Sequence, residues 1–227
     1  PTAPDSTTFE TALTALERYD VTVPASVRSY LERGVEGGVP ETPGPDSAVF
    51  DRVHTHILAS TETAVGAAAQ RASVRGYTPL VLSARMRGEA RESALAHVAI
   101  AEECLAADRP VEPPAVLLSG GETTVTVRGD GTGGPNQEFA LSAGRQLPEG
   151  VVLGSVDTDG LDGSTDAAGA LVDATTVADS AAATEALEAN DAYPFLDDRR
   201  ALLHTGATGT NVNDLRVIAI EATAPHC

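Results

Sequence analysis

The stretch Ala115-Val116-Leu117-Leu118-Ser119-Gly120-Gly121-Glu122-Thr123-Thr124-Val125-Thr126-Val127-Arg128 sets an apolar run against a glycine pair and then a run of β-branched residues. It predicts strands at 115–119 and 122–128, with Gly120-Gly121 as a tight hairpin turn between them. Outward from it, apolar runs at about 52–58, 79–83, 151–156 and 215–221 read as further strands. Helical periodicity falls between them, near 62–75, 89–106, 136–146, 176–189 and 197–203. Strands alternating with helices predict an α/β class, with helices packed on a mostly parallel sheet that the hairpin makes mixed.

The style of the chain changes near residue 45. Thr7 to Tyr19 places Phe9, Ala12, Leu13 and Leu16 at helical spacing behind a Ser6/Thr7 cap, and Pro24 opens a second short helix. Gly37 to Pro45 then interrupts regular structure. The expected division is a helical segment and linker over 1–46 and an α/β domain over 47–227.

Acidic residues number 33 against 15 basic ones, all of them arginine, for a formal net charge of −18. A surface of that sign repels nucleic-acid phosphate and anionic lipid, so neither nucleic acid nor membrane is an expected partner. A solvated acidic surface with no partner explains the same balance, and lysine-free, aromatic-poor acidity suits a halophilic source. No apolar run reaches membrane-spanning length and the opening residues lack a signal-peptide pattern, so a cytoplasmic location is expected. Pro1 stands where an initiating Met would, and a cut end is the expectation.

Cys104 and Cys227 are too few for a disulfide framework, and no Cys/His cluster offers zinc ligands. Cys104 reads as a small core residue. His54 and His56 alternate within the strand expected at 52–58, a spacing open to metal binding and equally to ordinary packing.

Three polar, glycine-dense loops stand where strands end or helices begin, the usual place for ligands of open α/β sheets. Gly129 to Glu138 runs into a helix whose free N–H groups favour an anion such as phosphate, although Asn136 also serves as a simple cap. Asp157 to Asp166 packs four carboxylates behind an apolar strand. Its register fails the EF-hand pattern; Mg²⁺ held by one or two carboxylates with substrate phosphates is one reading, and Asx-turns are the other. Thr205 to Asp214 offers small hydroxyl and amide groups for a polar ligand or for closing a turn. A Walker-type loop is excluded because no lysine exists, and no Gly-x-Ser-x-Gly elbow is present.

The strings Leu118 to Val127, Gly133-Gly134-Pro135-Asn136-Gln137-Glu138, Thr158 to Gly169 and Thr208 to Leu215 resemble, in order, the glycerate 2-kinase family. Its carboxy-terminal module is often called the MOFRL domain, and its members are frequently labelled hydroxypyruvate reductase. Leu82-Ser83-Ala84-Arg85, Gly88-Glu89-Ala90-Arg91-Glu92 and the opening Pro1 to Asp5 extend the resemblance along the chain. It implies a two-domain kinase that uses ATP and Mg²⁺ to phosphorylate the 2-hydroxyl of D-glycerate in an interdomain cleft. Carried over, Gly120, Gly121, Glu122, Thr123, Gly133, Gly134, Asn136, Gln137, Glu138, Thr208, Gly209, Thr210, Asn211 and Asn213 would line the carboxy-terminal wall for substrate and nucleotide. Asp159 would be this chain's catalytic carboxylate, and Asp159 with Asp162 would organise metal.

Two departures matter. Pro135 stands where the family usually reads arginine, removing a cation expected to face substrate carboxylate or phosphate. The family's amino-terminal half, with its active-site lysine, is not in this sequence, so inactivity of the chain alone is expected. A domain without that half exposes an apolar face, which a homo-oligomer would cover. A non-catalytic binding or assembly domain is the alternative that the proline suggests. An oxidoreductase is disfavoured because no Gly-x-Gly-x-x-Gly follows a strand with an acidic residue about twenty positions on.

Overall fold

A computed structural model describes residues 2–222, so Cys227 and Pro1 lie outside the described residues. The chain divides into two compact units, Pro1–Ile57 and Leu58–Cys227. In the first, α1 (Phe9–Arg18) starts behind a Thr8/Thr11 capping box and α2 (Ala25–Val35) starts after Pro24. Phe9 packs edge-on against Tyr30, with ring centroids 5.8 Å apart. The two helices bury almost nothing of their own: only Gly34 among their residues is buried. A short 3₁₀ turn covers Ala48–Arg52.

The second unit is a six-stranded mixed sheet with helices on both faces. Its strands are β1 (Thr78–Met86), β2 (Ala115–Gly121), β3 (Val151–Asp157), β4 (Gly169–Asp173), β5 (Leu202–Leu203) and β6 (Asp214–Ile220). They lie in the order β1-β2-β6-β3-β4-β5. Only β1 and β2 are parallel, joined by the crossover helix α4 (Ala90–Ala107); every other neighbouring pair is antiparallel. The expected mostly parallel sheet is therefore corrected: β6 returns between β2 and β3 in the opposite direction, and β4 folds straight back on β3.

Period-2 alternation divides the side chains between two cores. Leu117, Leu153, Ile218 and Ile220 join α4, α5 (Pro135–Gly144), α6 (Ser180–Glu188) and α7 (Ala192–Asp197) on one face. Val116, Leu118, Val217 and Ala219 meet α3 (Thr61–Val74) on the other, around Val65 and Ala72.

The predicted hairpin is also corrected. Gly120 and Gly121 end β2, and Gly121 turns the chain at φ +136° against the Met86 backbone. Residues 122–128 then leave the sheet, tied to the end of β1 and the start of α4 through Glu122 N–H to Met86 O (3.0 Å), Thr124 N–H to Gly88 O (2.9 Å) and Ala90 N–H to Thr124 O (2.9 Å). The helix expected at 197–203 lies earlier, as α7, because Arg200 at φ +55° breaks the helix and leads into β5. The strand expected at 52–58 is 3₁₀ turn and irregular chain, leaving His54 and His56 exposed with no sheet partner.

Gly121 offers a direct test. Ala there meets both a left-handed backbone and the Met86 main chain, and is expected to lower stability by about 2–3 kcal/mol. Gly150→Ala, at φ +80° with open space around the new Cβ, is expected to cost only about 1 kcal/mol. Urea unfolding of both variants checks the order; equal costs would show that the Met86 contact contributes nothing.

Candidate functional site

The three polar loops converge because the strand directions make them converge. The C-terminal ends of β1, β2 and β3 lie at the same sheet edge as the N-terminal ends of β6 and β4. Helices α3 and α5 also begin there. Thr61 donates its hydroxyl to Val212 O (2.9 Å), and Asn136 donates Nδ2 to Asp214 Oδ1 (2.7 Å).

At the start of α5, Gly134 is the N-cap and Pro135 takes the first helical position, where its missing N–H costs nothing. The anion this helix terminus attracts is the chain's own Asp162. Its Oδ1 accepts from Asn136 N–H (3.0 Å) and its Oδ2 from Gln137 N–H (2.9 Å), while Asn136 Nδ2 adds a bond to Oδ1 (3.1 Å). Gly134 is obligatory here, since a Cβ would run into the Asp162 carboxylate. Asp162 is 1% exposed, and burial pushes its pKa up to about 6 against those hydrogen bonds. Asp162, expected to organise metal, is in this structure a buried helix cap whose two oxygens meet the N–H groups of the helix start that was expected to favour an anion.

A buried polar layer continues from there. Asn136 Oδ1 accepts from Ser155 Oγ (2.6 Å), and Gln137 Nε2 donates to Thr165 Oγ1 (2.7 Å). Asp214 Oδ2 accepts from Arg216 NH2 (2.6 Å) and from Thr123 N–H (3.3 Å), and the same NH2 donates to Thr123 Oγ1 (2.7 Å). Arg216 is wholly buried, stacked over Phe139 at 4.6 Å, and its Nε and NH1 have no partner among the described residues. His97 completes the layer, with Nε2 2.8 Å from Ser119 Oγ and Nδ1 2.7 Å from Ser93 O; burial holds its pKa below the usual value. Glu138 also faces inward. Arg91 and Asn190 donate to its two oxygens at 2.9 and 2.7 Å.

The expected site residues thus separate into four groups. Gly120, Thr123, Asn136, Gln137 and Glu138 are buried parts of the frame. Thr208, Gly209, Thr210 and Asn211 form an exposed loop braced on the acidic loop, through Thr208 Oγ1 to Thr158 O (2.6 Å) and Asn211 Nδ2 to Asp159 Oδ2 (3.1 Å). Asp159 also accepts from Leu161 N–H (2.9 Å), as an Asx-turn does. Only Gly121, Glu122 and Asn213 line the cleft of about 330 Å³ at the sheet edge, with Thr61, Glu62, Arg85 and Arg87. A second cleft, of about 340 Å³, takes Gly133, Gly134 and Glu138 together with Val125, Val127 and Pro135.

Sequence reasoning missed the arginines of the first cleft. Their signal was their place at the C-terminal end of β1. It also missed Arg216, whose signal was the Asp214-x-Arg216 spacing that puts both groups on one strand face.

Acid dominates the rest of the edge. Burial, then the charges of Asp214, Asp157 and Asp159, raise the pKa of Glu122. Burial likewise raises that of Asp157, with Asp159 and Asp214 adding to it. Among the described residues, no group of three or more His, Cys, Asp or Glu side chains forms a metal-holding cluster. No helix among them is long and apolar enough to cross a membrane.

The MOFRL family profile matches residues 115–214, which span β2 to the start of β6. A glycerate 2-kinase of Pyrococcus horikoshii is 43% identical over 97% of this chain and 51% of its own length. A D-glycerate 2-kinase of Thermotoga maritima is 41% identical over 95% of the chain and 50% of its own. The crystal structure of a glycerate kinase from Thermotoga maritima superposes with a TM-score of 0.76 at 40% identity, covering 96% of this chain and 51% of that one. The chain spans about half the length of the curated relatives it matches. On the profile match, the sequence identity along nearly all of its length and the superposition, this chain belongs to the glycerate 2-kinase family and carries its MOFRL domain.

Proposed function

We propose that this chain forms the carboxy-terminal wall of a glycerate 2-kinase active site, in which the γ-phosphoryl group of ATP passes to the 2-hydroxyl of D-glycerate. The observation that carries this reading is the convergence of the family's strings on one sheet edge, around a cleft holding Arg85 and Arg87. The rest of the transfer machinery, including the active-site lysine that the family resemblance implies, would lie in the half of the relatives that this chain does not span. On that reading the chain alone turns over no substrate.

Such a transfer asks the protein to place the phosphates and acceptor and to offset charge, with little covalent chemistry of its own. Here the frame does the placing. Arg216, Asp214 and Thr123 fix the chain that carries Glu122, while Asp162 and Asn136 lock the start of α5 to β3 and β6. Arginines in a cleft on a chain of net charge −18 give an anion a local reason to bind where the rest of the surface repels it. Asp157 and Asp159, whose charges meet at the same edge, would be the residues to hold a Mg²⁺ that keeps most of its ligands as water and substrate phosphate. When bound, that ion would offset phosphate charge.

The test is isothermal titration of D-glycerate and of ATP–Mg²⁺ into the folded chain, in dilute buffer and in molar KCl. Millimolar binding of D-glycerate is the expected result. Silence from both ligands in both buffers would overturn the reading.

A further inference from the structure

The cleft at the sheet edge holds two arginines, but they are not equivalent. Arg85 is paired with Glu62, a lining residue of the same cleft, so its charge is already met within the site. Arg87 lines the cleft in no ion pair and no side-chain hydrogen bond among the described residues. Glu122 lines it too, without a side-chain partner, and Asp214, Asp157 and Asp159 stand close enough to raise its pKa. One part of the cleft therefore repels an anion while Arg87 attracts it. A ligand carrying both an anionic group and a hydroxyl has one electrostatically favoured way to lie.

We propose that Arg87 is the specificity-determining residue of this cleft, the free cation that takes the ligand's anionic oxygens, with Glu122 turning those oxygens away from the β2 end. The inference rests on the kinase reading above and deepens it. The shared chemistry is an oxyanion, supplied by the carboxylate of a small hydroxy acid or by a phosphate of the nucleotide. Arg is suited to either because its planar fork donates to two oxygens at once. Neither Pro135 nor the second cleft competes for the role: that cleft is lined by valines, glycines and proline with Ser164 and Asn190 but without a cation, its one carboxylate, Glu138, is already bonded to Arg91 and Asn190, and the start of α5 is filled by Asp162.

Three variants of the full chain, titrated with D-glycerate, glycerol and inorganic triphosphate, test this. Arg87→Gln is expected to weaken D-glycerate at least tenfold and Arg87→Lys to recover part of that loss, with glycerol unaffected by either. Glu122→Gln is expected to tighten D-glycerate severalfold, a sign that mere structural damage does not produce. Loss of triphosphate alone in Arg87→Gln would assign the same anchor to phosphate. Unchanged binding of both anions in Arg87→Gln would overturn the inference and leave the kinase reading standing. No anion binding by the wild-type chain would overturn both.

Discussion

Asp214→Ala is expected to lower the unfolding free energy of the 58–227 unit by about 3–5 kcal/mol, the cost of leaving a buried guanidinium without its counter-charge. Arg216 is 0% exposed and Asp214 only 4%, and the sheet leaves the arginine no route to water. Burial already lowers the arginine's pKa, opposed chiefly by the Asp214 charge. Losing the carboxylate also strips acceptors from Asn136 Nδ2 and Thr123 N–H, each a further buried donor. Removing both charges together, in Asp214→Ala/Arg216→Met, is expected to recover at least about 1 kcal/mol of that loss, because neither charge of the pair then remains buried. Urea unfolding of the single and double variants decides the matter. A double variant no more stable than Asp214→Ala would show that the pair's desolvation is not what the single substitution exposes.

How much of this arrangement the sequence makes legible depends on what each residue has near it along the chain. The apolar runs at 79–83, 115–119, 151–156 and 215–221 announce β1, β2, β3 and β6, because a buried strand keeps its signal within a few residues. Direction keeps no such signal. β6 looks the same whether it runs with or against β2, and only its insertion between β2 and β3 decides. Thr123-Thr124-Val125-Thr126-Val127 has strand chemistry, yet the fold gives it one isolated bridge, between Thr124 and Glu89, and no ladder. β4 hides inside a Gly/Ala-rich stretch, where short side chains leave little pattern to read. The loops of the site are visible as loops, but their roles are set by partners far away in sequence. Arg216 is an unremarked strand residue until Thr123 and Asp214 meet it, and Arg87 gains its meaning only when β1 ends beside Gly121 and Asn213.

Asp162 is the sharpest case of that limit and carries a prediction of its own. In the sequence it is one of four carboxylates crowded into ten residues; in the fold its oxygens cap a helix that begins twenty-seven residues earlier, at Pro135. Asp162→Ala leaves the Asn136 and Gln137 N–H groups buried without an acceptor, and is expected to cost about 3 kcal/mol at neutral pH. Asp162→Asn keeps the shape and one acceptor, and it isolates the charge. With the folded carboxyl titrating at about 6 and the unfolded one at 3.8, the folded state holds an extra proton between those values. The stability linked to that proton is fully present below pH 3.8 and is lost as the pH rises through 6, a swing of about 3 kcal/mol. Wild type should therefore lose about 2.4 kcal/mol of that swing relative to Asp162→Asn between pH 4 and pH 7, a difference that cancels the titration of the other carboxylates. Denaturant unfolding of both proteins across that range measures it. A flat difference would mean that the two main-chain N–H groups and the helix terminus hold the carboxylate ionised in the fold as readily as water does, and that burial at this position is offset in full by its cap.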